Sequence, residues 1–484
     1  METGRRAVRE DAVFFKQYYL GCLAHASYMV GDERTKTAIV VDPQRDIEQY
    51  LEDAGAQGMT ITHVFLTHFH ADFIAGHLEL RDRVGATICL GAKAEAEFAF
   101  RKFGTGDRLE FGDVRIEALE TPGHTPEAIS LLIFDLAKDA ETPYGVLTGD
   151  TLFIGDVGRP DLLASIGFTS GELASMLFDS LHERLLPLPD ETLVYPAHGA
   201  GSMCGRNLSS ETVSTMGIQR RYNYALQPMT KERFIALVTE DQPEAPAYFG
   251  YDALMNRRER ATLDAVLDKQ LKPLTLDETL AAQAAGAVVL DVRDAADFEG
   301  AHLRDSVNVG LDGQFATYAG TVIKQGQPVV IVSEPGREME AATRLGRIGF
   351  DQVKGYLDGG MVALAKRDDL LARSERITGA TVAERLAGGK TPTIIDLRTA
   401  GERESGIIAG NLHIPLNHLE ERAGEIPSGG PVVVHCQGGY RSAIAVSLLA
   451  RMGIEAADLV GGFGAWEAAG LPVTRDVAAA PAVS

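Results

Sequence analysis

Six side chains able to hold a divalent metal recur at the ends of apolar runs in the first two hundred residues. The stretch THFHADFIAGH (67–77) places His68, His70 and Asp72 within five residues, directly after the run HVFL. His124 follows in TPGHTPEA, Asp150 in LTGDTLF and His198 in YPAHGAG, each beside a glycine. One such histidine is ordinary core or surface; a set of imidazoles and carboxylates repeated at matching positions is a ligand set for zinc or iron. A second chemistry lies near the other end. HCQGGYRSA (435–443) puts Cys436 ahead of Gln437, Gly438, Gly439 and Tyr440, between the apolar strand PVVVH and an amphipathic helix. Backbone N–H groups of such a loop converge on an anion at the helix N-terminus. Arg441 adds positive charge and Ser442 a hydroxyl, both favouring a thiolate or a cysteine persulfide.

These residues need strands to carry them. TAIVVD (37–42), HVFLTH (63–68), ATICLG (86–91), VRIEALETPGH (114–124), ISLLIF (129–134), GVLTGD (145–150) and TLVYPAH (192–198) read as short strands, most ending in a polar residue. Helical stretches such as RDIEQYLEDAG (45–55) and GHLELRDRVG (76–85) lie between them, so residues 1–250 read as a layered α/β domain with its site at the strand ends. Residues 251–275, charged and with Pro273 near their end, read as a linker. Beyond it the chain repeats: VVLDVRDAADFEGAHLRDSVNVGL (288–311) returns as TIIDLRTAGERESGIIAGNLHIPL (393–416), and PVVIVS (328–333) as PVVVHC (431–436). Asp291 and Asp396 are 105 apart, Ser333 and Cys436 103, Gly359 and Gly461 102. The repeat predicts two tandem α/β units with small parallel sheets, at 276–372 and 376–477, followed by a loose tail at 478–484.

The motif H-x-H-x-D, with a later H, D and H over roughly residues 12–240, resembles the metallo-β-lactamase-like hydrolase fold, an αββα sandwich. Dinuclear members continue the motif to H-x-H-x-D-H; this chain has Phe73 there, which cannot ligate. The resemblance therefore implies a single-metal site of His68, His124 and Asp150, with His70, Asp72 and His198 around it as second-sphere or substrate residues. Two imidazoles and a carboxylate match the facial triad of non-haem Fe(II), one ion per chain, which leaves positions for substrate and O₂. GDVGRPDL (155–162) resembles the G-x-G-R-x-D segment of persulfide dioxygenases, in which Arg159 and Asp161 would shape the site. Cys204, six residues after His198, is a candidate contact for a sulfur substrate.

C-x-G-G-x-R-S, with DLR (396–398) upstream and G-G-x-x-x-W (461–466) downstream, resembles the rhodanese sulfurtransferases. The five-residue step from Cys436 to Arg441, one shorter than in phosphatases of the C-x₅-R type, suits a single sulfur. The earlier copy keeps Asp291 and Arg293 but has Ser333 at the nucleophile position, Pro335 in the loop and Glu334, Glu338 and Glu340 nearby, so it reads as a degenerate, catalytically silent unit. The order of the three units resembles bacterial persulfide dioxygenase–sulfurtransferase fusions. That resemblance implies Fe(II)-dependent oxidation of a thiol persulfide, of glutathione, coenzyme A or a similar carrier, by O₂ to sulfite and thiol. Sulfur transfer through a Cys436 persulfide would then yield thiosulfate. The alternatives are a zinc-dependent, glyoxalase II-like thioester hydrolase with an accessory sulfurtransferase, and a sulfur carrier or sensor without turnover.

Composition narrows the partners. The 484 residues are 45% apolar and 24% charged with a net charge of −22, ordinary for globular protein and repulsive to polyanions. Nucleic acid and membrane are not expected partners. With no apolar run near 18 residues, no secretory signal and four scattered cysteines, the expected location is cytoplasmic. Arg206, Arg220 and Arg221 are candidates for a basic patch that would receive an anionic thiol carrier. A homo-oligomer, dimer or tetramer, is expected from the family resemblance.

Overall fold

The computed structural model describes residues 13–162, 167–206, 208–240, 242, 244–389 and 391–475. The expected tail at 478–484 lies outside the described residues. The chain divides into two compact units, residues 1–266 with 346–349, and residues 267–345 with 350–484.

In the first unit, two six-stranded sheets are built from β1 (Val13–Leu20), β2 (His25–Asp32), β3 (Thr37–Val41), β4 (Thr60–Phe65), β5 (Thr87–Gly91) and β6 (Arg101–Phe103), and from β7 (Arg108–Phe111), β8 (Val114–Glu120), β9 (Ile129–Asp135), β10 (Gly145–Gly149), β11 (Leu193–Pro196) and β12 (Ser214–Thr215). The first runs β1 to β6 in chain order; the second runs β12 to β7. Side chains alternate across each strand, and the pattern shows what covers each face. On β8, Val114, Ile116 and Ala118 are buried while Arg115 and Glu117 are only partly so. On β9 every residue is buried, because Ile129, Leu131 and Ile133 enter the core between the sheets while Leu132 and Phe134 enter a second core under helices. Leu173, Ala174 and Leu177 of the helix Ser170–Asp179 belong to that second core and its surroundings, and Thr169 with Glu172 starts that helix with a capping box. Helices Glu48–Ala56 and His77–Val84 lie against β4 and β5. The result is the αββα sandwich.

The segment expected as a linker is folded. Helix Phe249–Met255 buries Phe249, Asp252 and Ala253. Asn256 after it is fully buried: its amide nitrogen donates to the carbonyls of His70 (2.9 Å) and Phe73 (2.8 Å), and its amide oxygen accepts from the Ala75 N–H (2.8 Å). Arg260 reaches Glu79 at 2.6 Å. Charge and proline read as a breaker where the chain in fact supplies a pin for the H-x-H-x-D loop.

The second unit holds two five-stranded parallel sheets. One is ordered Pro273–Leu274, Val353–Leu357, Val329–Val332, Val288–Asp291, Val307–Asn308; the other Arg376–Ile377, Ala456–Leu459, Val432–His435, Thr393–Asp396, Leu412–His413. Numbered within its own copy, each sheet runs 1-5-4-2-3, so the sequence repeat is a repeat of topology.

Candidate metal centre and cysteine loop

His68 follows β4, His124 follows β8, Asp150 follows β10 and His198 follows β11, and the two sheets bring these strand ends to one place. Gly158 lets the chain pass close beside them: a Cβ there would collide with the Asp150 carbonyl and press on His124. Ligand atoms of His68, His124 and Asp150 lie within 4.8 Å of one another, as do those of His70, Asp72 and His198, and those of Asp150, His198 and Cys204. All seven residues are buried.

Hydrogen bonding decides which atoms are free. Thr67 Oγ1 donates to Asp42 Oδ2 at 2.8 Å, so at 3.0 Å it accepts from His68 Nδ1–H, and the lone pair of His68 is left on Nε2. His124 Nδ1 donates to the Arg159 carbonyl at 2.8 Å, which leaves its lone pair on Nε2 as well. His198 Nδ1 donates to Asp150 Oδ1 at 2.7 Å. Asp150 Oδ2 is then a buried oxygen without a hydrogen-bond partner, 3.7 Å from His68 Nε2 and 3.5 Å from His124 Nε2. Donors that share one ion at about 2.1 Å stand about 3 to 3.5 Å apart, so this set fits a metal. Burial pushes the His68 and His124 imidazoles down, which keeps them neutral near pH 7 and able to ligate. Burial opposes ionisation of Asp150, yet His198 and His68 hold its carboxyl well below the usual range.

The second group is differently engaged. His198 Nε2 lies 2.9 Å from Asp72 Oδ2, so one ring sits between two carboxylates; against the effect of burial, Asp150 and Asp72 raise it well above the ordinary value. His70 Nε2 lies 3.0 Å from Asp42 Oδ1. Phe73 is fully buried, its ring 4.1 Å from that of His25 and 4.4 Å from that of His70. Arg159 pairs with Asp161 at 2.7 Å, and its backbone N–H and guanidinium donate to the carbonyls of Cys204 and Met203. Cys204 is buried, and burial, followed by Asp72 and Asp150, raises its thiol well above the ordinary value, so the neutral thiol faces Asp150 and His198. Asp42, Thr67, Asn256 and the buried His25 escape a motif search. The one sequence signal for them was the polar end of TAIVVD, which is Asp42 itself.

The arginines expected to form a basic patch are held by neighbours in the fold. Arg206 donates to the carbonyls of Leu237 and Glu240, and Arg220 to those of Leu186 and Leu188 while pairing with Asp190. Arg221 lies over the Tyr222 ring.

In the other sheet, Cys436 follows the strand Val432–His435, and the loop through Gly439, with φ +106°, opens the helix Tyr440–Arg451. The Gly439 N–H donates to Cys436 Sγ at 3.1 Å, and Ser442 Oγ is 3.8 Å from it. The Cys436 carbonyl accepts from Phe463 N–H, and a Cβ on Gly462 would collide with that carbonyl, which explains the G-G pair downstream. Arg441, beside this loop, is paired: both its terminal nitrogens donate to Glu402, at 2.7 and 2.5 Å. The Tyr440 hydroxyl donates to the Gly310 carbonyl at 2.5 Å. Ser333, at the corresponding position of the earlier copy, is buried with its hydroxyl unpartnered.

Comparison with known proteins follows the same division. The metallo-beta-lactamase superfamily model matches residues 20–198, and the rhodanese-like domain model matches 275–367 and 378–469. A solved metallo-beta-lactamase structure from Staphylococcus aureus subsp. aureus COL is 30% identical, with a TM-score of 0.64, over 72% of this chain and 99% of that one. The mitochondrial persulfide dioxygenase ETHE1 of Mus musculus is 29% identical over 49% of this chain and 86% of its own length. A hydroxyacylglutathione hydrolase-like protein of the same organism is 27% identical over 49% of this chain and 77% of its own.

Proposed function

Because the chain belongs to the metallo-beta-lactamase superfamily in its first part and carries two rhodanese-like domains after it, we propose that it is a bifunctional sulfur enzyme. It oxidises a low-molecular-weight thiol persulfide with O₂ and transfers sulfane sulfur through Cys436. The observation that carries the first half is the convergence of His68 Nε2 and His124 Nε2 on the unpartnered Asp150 Oδ2. One ferrous ion per chain on these three residues would supply the electrons and open positions that O₂ activation beside a sulfur requires. The overall change is persulfide plus O₂ plus water to thiol plus sulfite. The chain's own part is to hold the ligands in one tautomer through Asp42, Thr67 and the Arg159 carbonyl, to orient Asp150 through His198, and to exclude bulk water.

In the second half, the Cys436 thiolate attacks the outer sulfur of a persulfide; an S–S bond forms on Cys436 and the carrier thiol leaves. Sulfite then attacks the outer sulfur of that cysteine persulfide, the new S–S bond breaks, and thiosulfate departs with the thiolate restored. The Gly439 N–H, 3.1 Å from Sγ, supports the anion in both steps. A zinc thioester hydrolase fits less well, because the buried Phe73 ring occupies the place of a second-site ligand.

The test is metal analysis of anaerobically purified protein together with an oxygen electrode and glutathione persulfide. One iron per chain is expected, with persulfide-dependent O₂ loss that disappears in His124→Ala and Asp150→Ala. A filled zinc pair with thioester hydrolysis and no O₂ uptake would overturn the reading.

A further inference from the structure

The silent rhodanese-like domain touches the loop of the other. Tyr440 is the first residue of the helix that follows the Cys436 loop, and it leaves its own domain. Its hydroxyl donates to the Gly310 carbonyl at 2.5 Å, and its ring lies 5.5 Å from that of Tyr318, on the helix Phe315–Val322 of the earlier copy. Gly313, exposed and with φ +151°, leaves room for the ring: a Cβ there would stand 2.7 Å from it. Seven residues on, and so on the same helix face, Ser447 Oγ accepts the Asn308 N–H at 3.1 Å. One face of the helix is thus held twice by the segment 308–318.

We infer that the silent domain acts as a holder: the socket of Gly310, Gly313 and Tyr318 grips Tyr440 and thereby fixes the Gly439 N–H against the sulfur of Cys436. Tyr440 is bonded to Gly439, whose left-handed backbone aims that N–H at Sγ. A ring that leaves the socket frees the Tyr440 backbone and, through the left-handed Gly439 bonded to it, lets the Gly438–Gly439 peptide that carries the donor turn away from the sulfur. Because the donor meets an anion in transfer more than it binds the carrier, its loss falls on turnover rather than on substrate affinity. Tyr440 and its socket are positioning residues, and the inference rests on Cys436 being the sulfur carrier.

The experiment uses the full chain under argon, with glutathione persulfide as donor and sulfite as acceptor, measuring thiosulfate formation and, by intact mass, sulfur carried on Cys436. Gly313→Ala, in the silent domain, is expected to lower kcat about tenfold, the size of one lost hydrogen bond to a charged group, with KM within twofold. Tyr440→Ala should match it, and Tyr440→Phe, which keeps the ring, should recover most of the loss. If Tyr440→Ala fails to fold, Gly313→Ala on its exposed turn decides. Normal kcat in Gly313→Ala with Cys436 loading normally would overturn the holder. A wild-type chain that neither loads Cys436 nor forms thiosulfate would overturn the carrier reading, and the holder with it.

Discussion

Asp42 directly follows β3 with φ +51°, a conformation few non-glycine residues adopt. From there it accepts the Thr67 N–H and hydroxyl, both at 2.8 Å, and pairs with His70. Through Thr67 it sets the tautomer of His68, so Asp42→Asn is expected to weaken metal binding 10- to 100-fold while leaving every ligand in place; competition with a calibrated chelator measures it. Asp150→Asn should do more, because it removes the charge that balances the ion, and inductively coupled plasma analysis after dialysis should find less than a tenth of the wild-type metal. Residue types revealed the six donors and Cys436, because imidazoles and carboxylates at strand ends and a thiol before a glycine loop are local patterns. The polar chain behind them was not legible. Thr67, Asn256 and Glu402 act on partners 25, 183 and 39 residues away, and no local pattern encodes such pairings. For the same reason the pairing of Arg441 with Glu402 was not legible in the sequence.

The helix His77–Val84 carries a titration that should show in stability. Burial alone would raise the Glu79 carboxyl, but Arg260 and Arg45 hold it down at about 2, from 4.5. Burial, then Arg260, pushes His77 down to about 3 from 6.5, and its ring packs against Phe98 at 4.9 Å with neither nitrogen hydrogen-bonded. In both cases the unfolded chain takes up a proton at a higher pH than the folded one. Stability is therefore full above these unfolded values and falls as the solution is acidified, through His77 from pH 6.5 and through Glu79 from about 4.5. Between pH 6.5 and 5, metal-free wild type should lose about 2 kcal/mol more than His77→Phe, as read by urea denaturation at each pH. Acidification that affects the two alike would count against this account. At this scale seven strands of the first unit were legible as short apolar runs, and the repeat from its near-constant offset. The helix Phe249–Met255 was hidden because it is only seven residues long and its anchor, Asn256, is polar.

Across the whole molecule, the metal donors lie in one compact unit and Cys436 in the other. Ligand binding stabilises only the state that binds. Calorimetry of chelator-treated protein should show two transitions, of which added metal at about 100 times its Kd raises one by about 6 to 10 °C. Cys436→Ser should leave that shift intact, and a metal-induced rise in both transitions would argue against separate units. Among the described residues no helix is long and apolar enough to cross a membrane. The chain order of the donors has one more consequence, for how the protein is made. His68 comes from the first sheet, and His124 and Asp150 come from the second. A nascent chain released before Asp150 carries the full H-x-H-x-D signature yet has no carboxylate to close the triad. With the ion held as proposed, metal capture during translation waits until Asp150, after β10, has cleared the ribosome, and a truncated transcript that keeps the motif would yield a product unable to retain the ion.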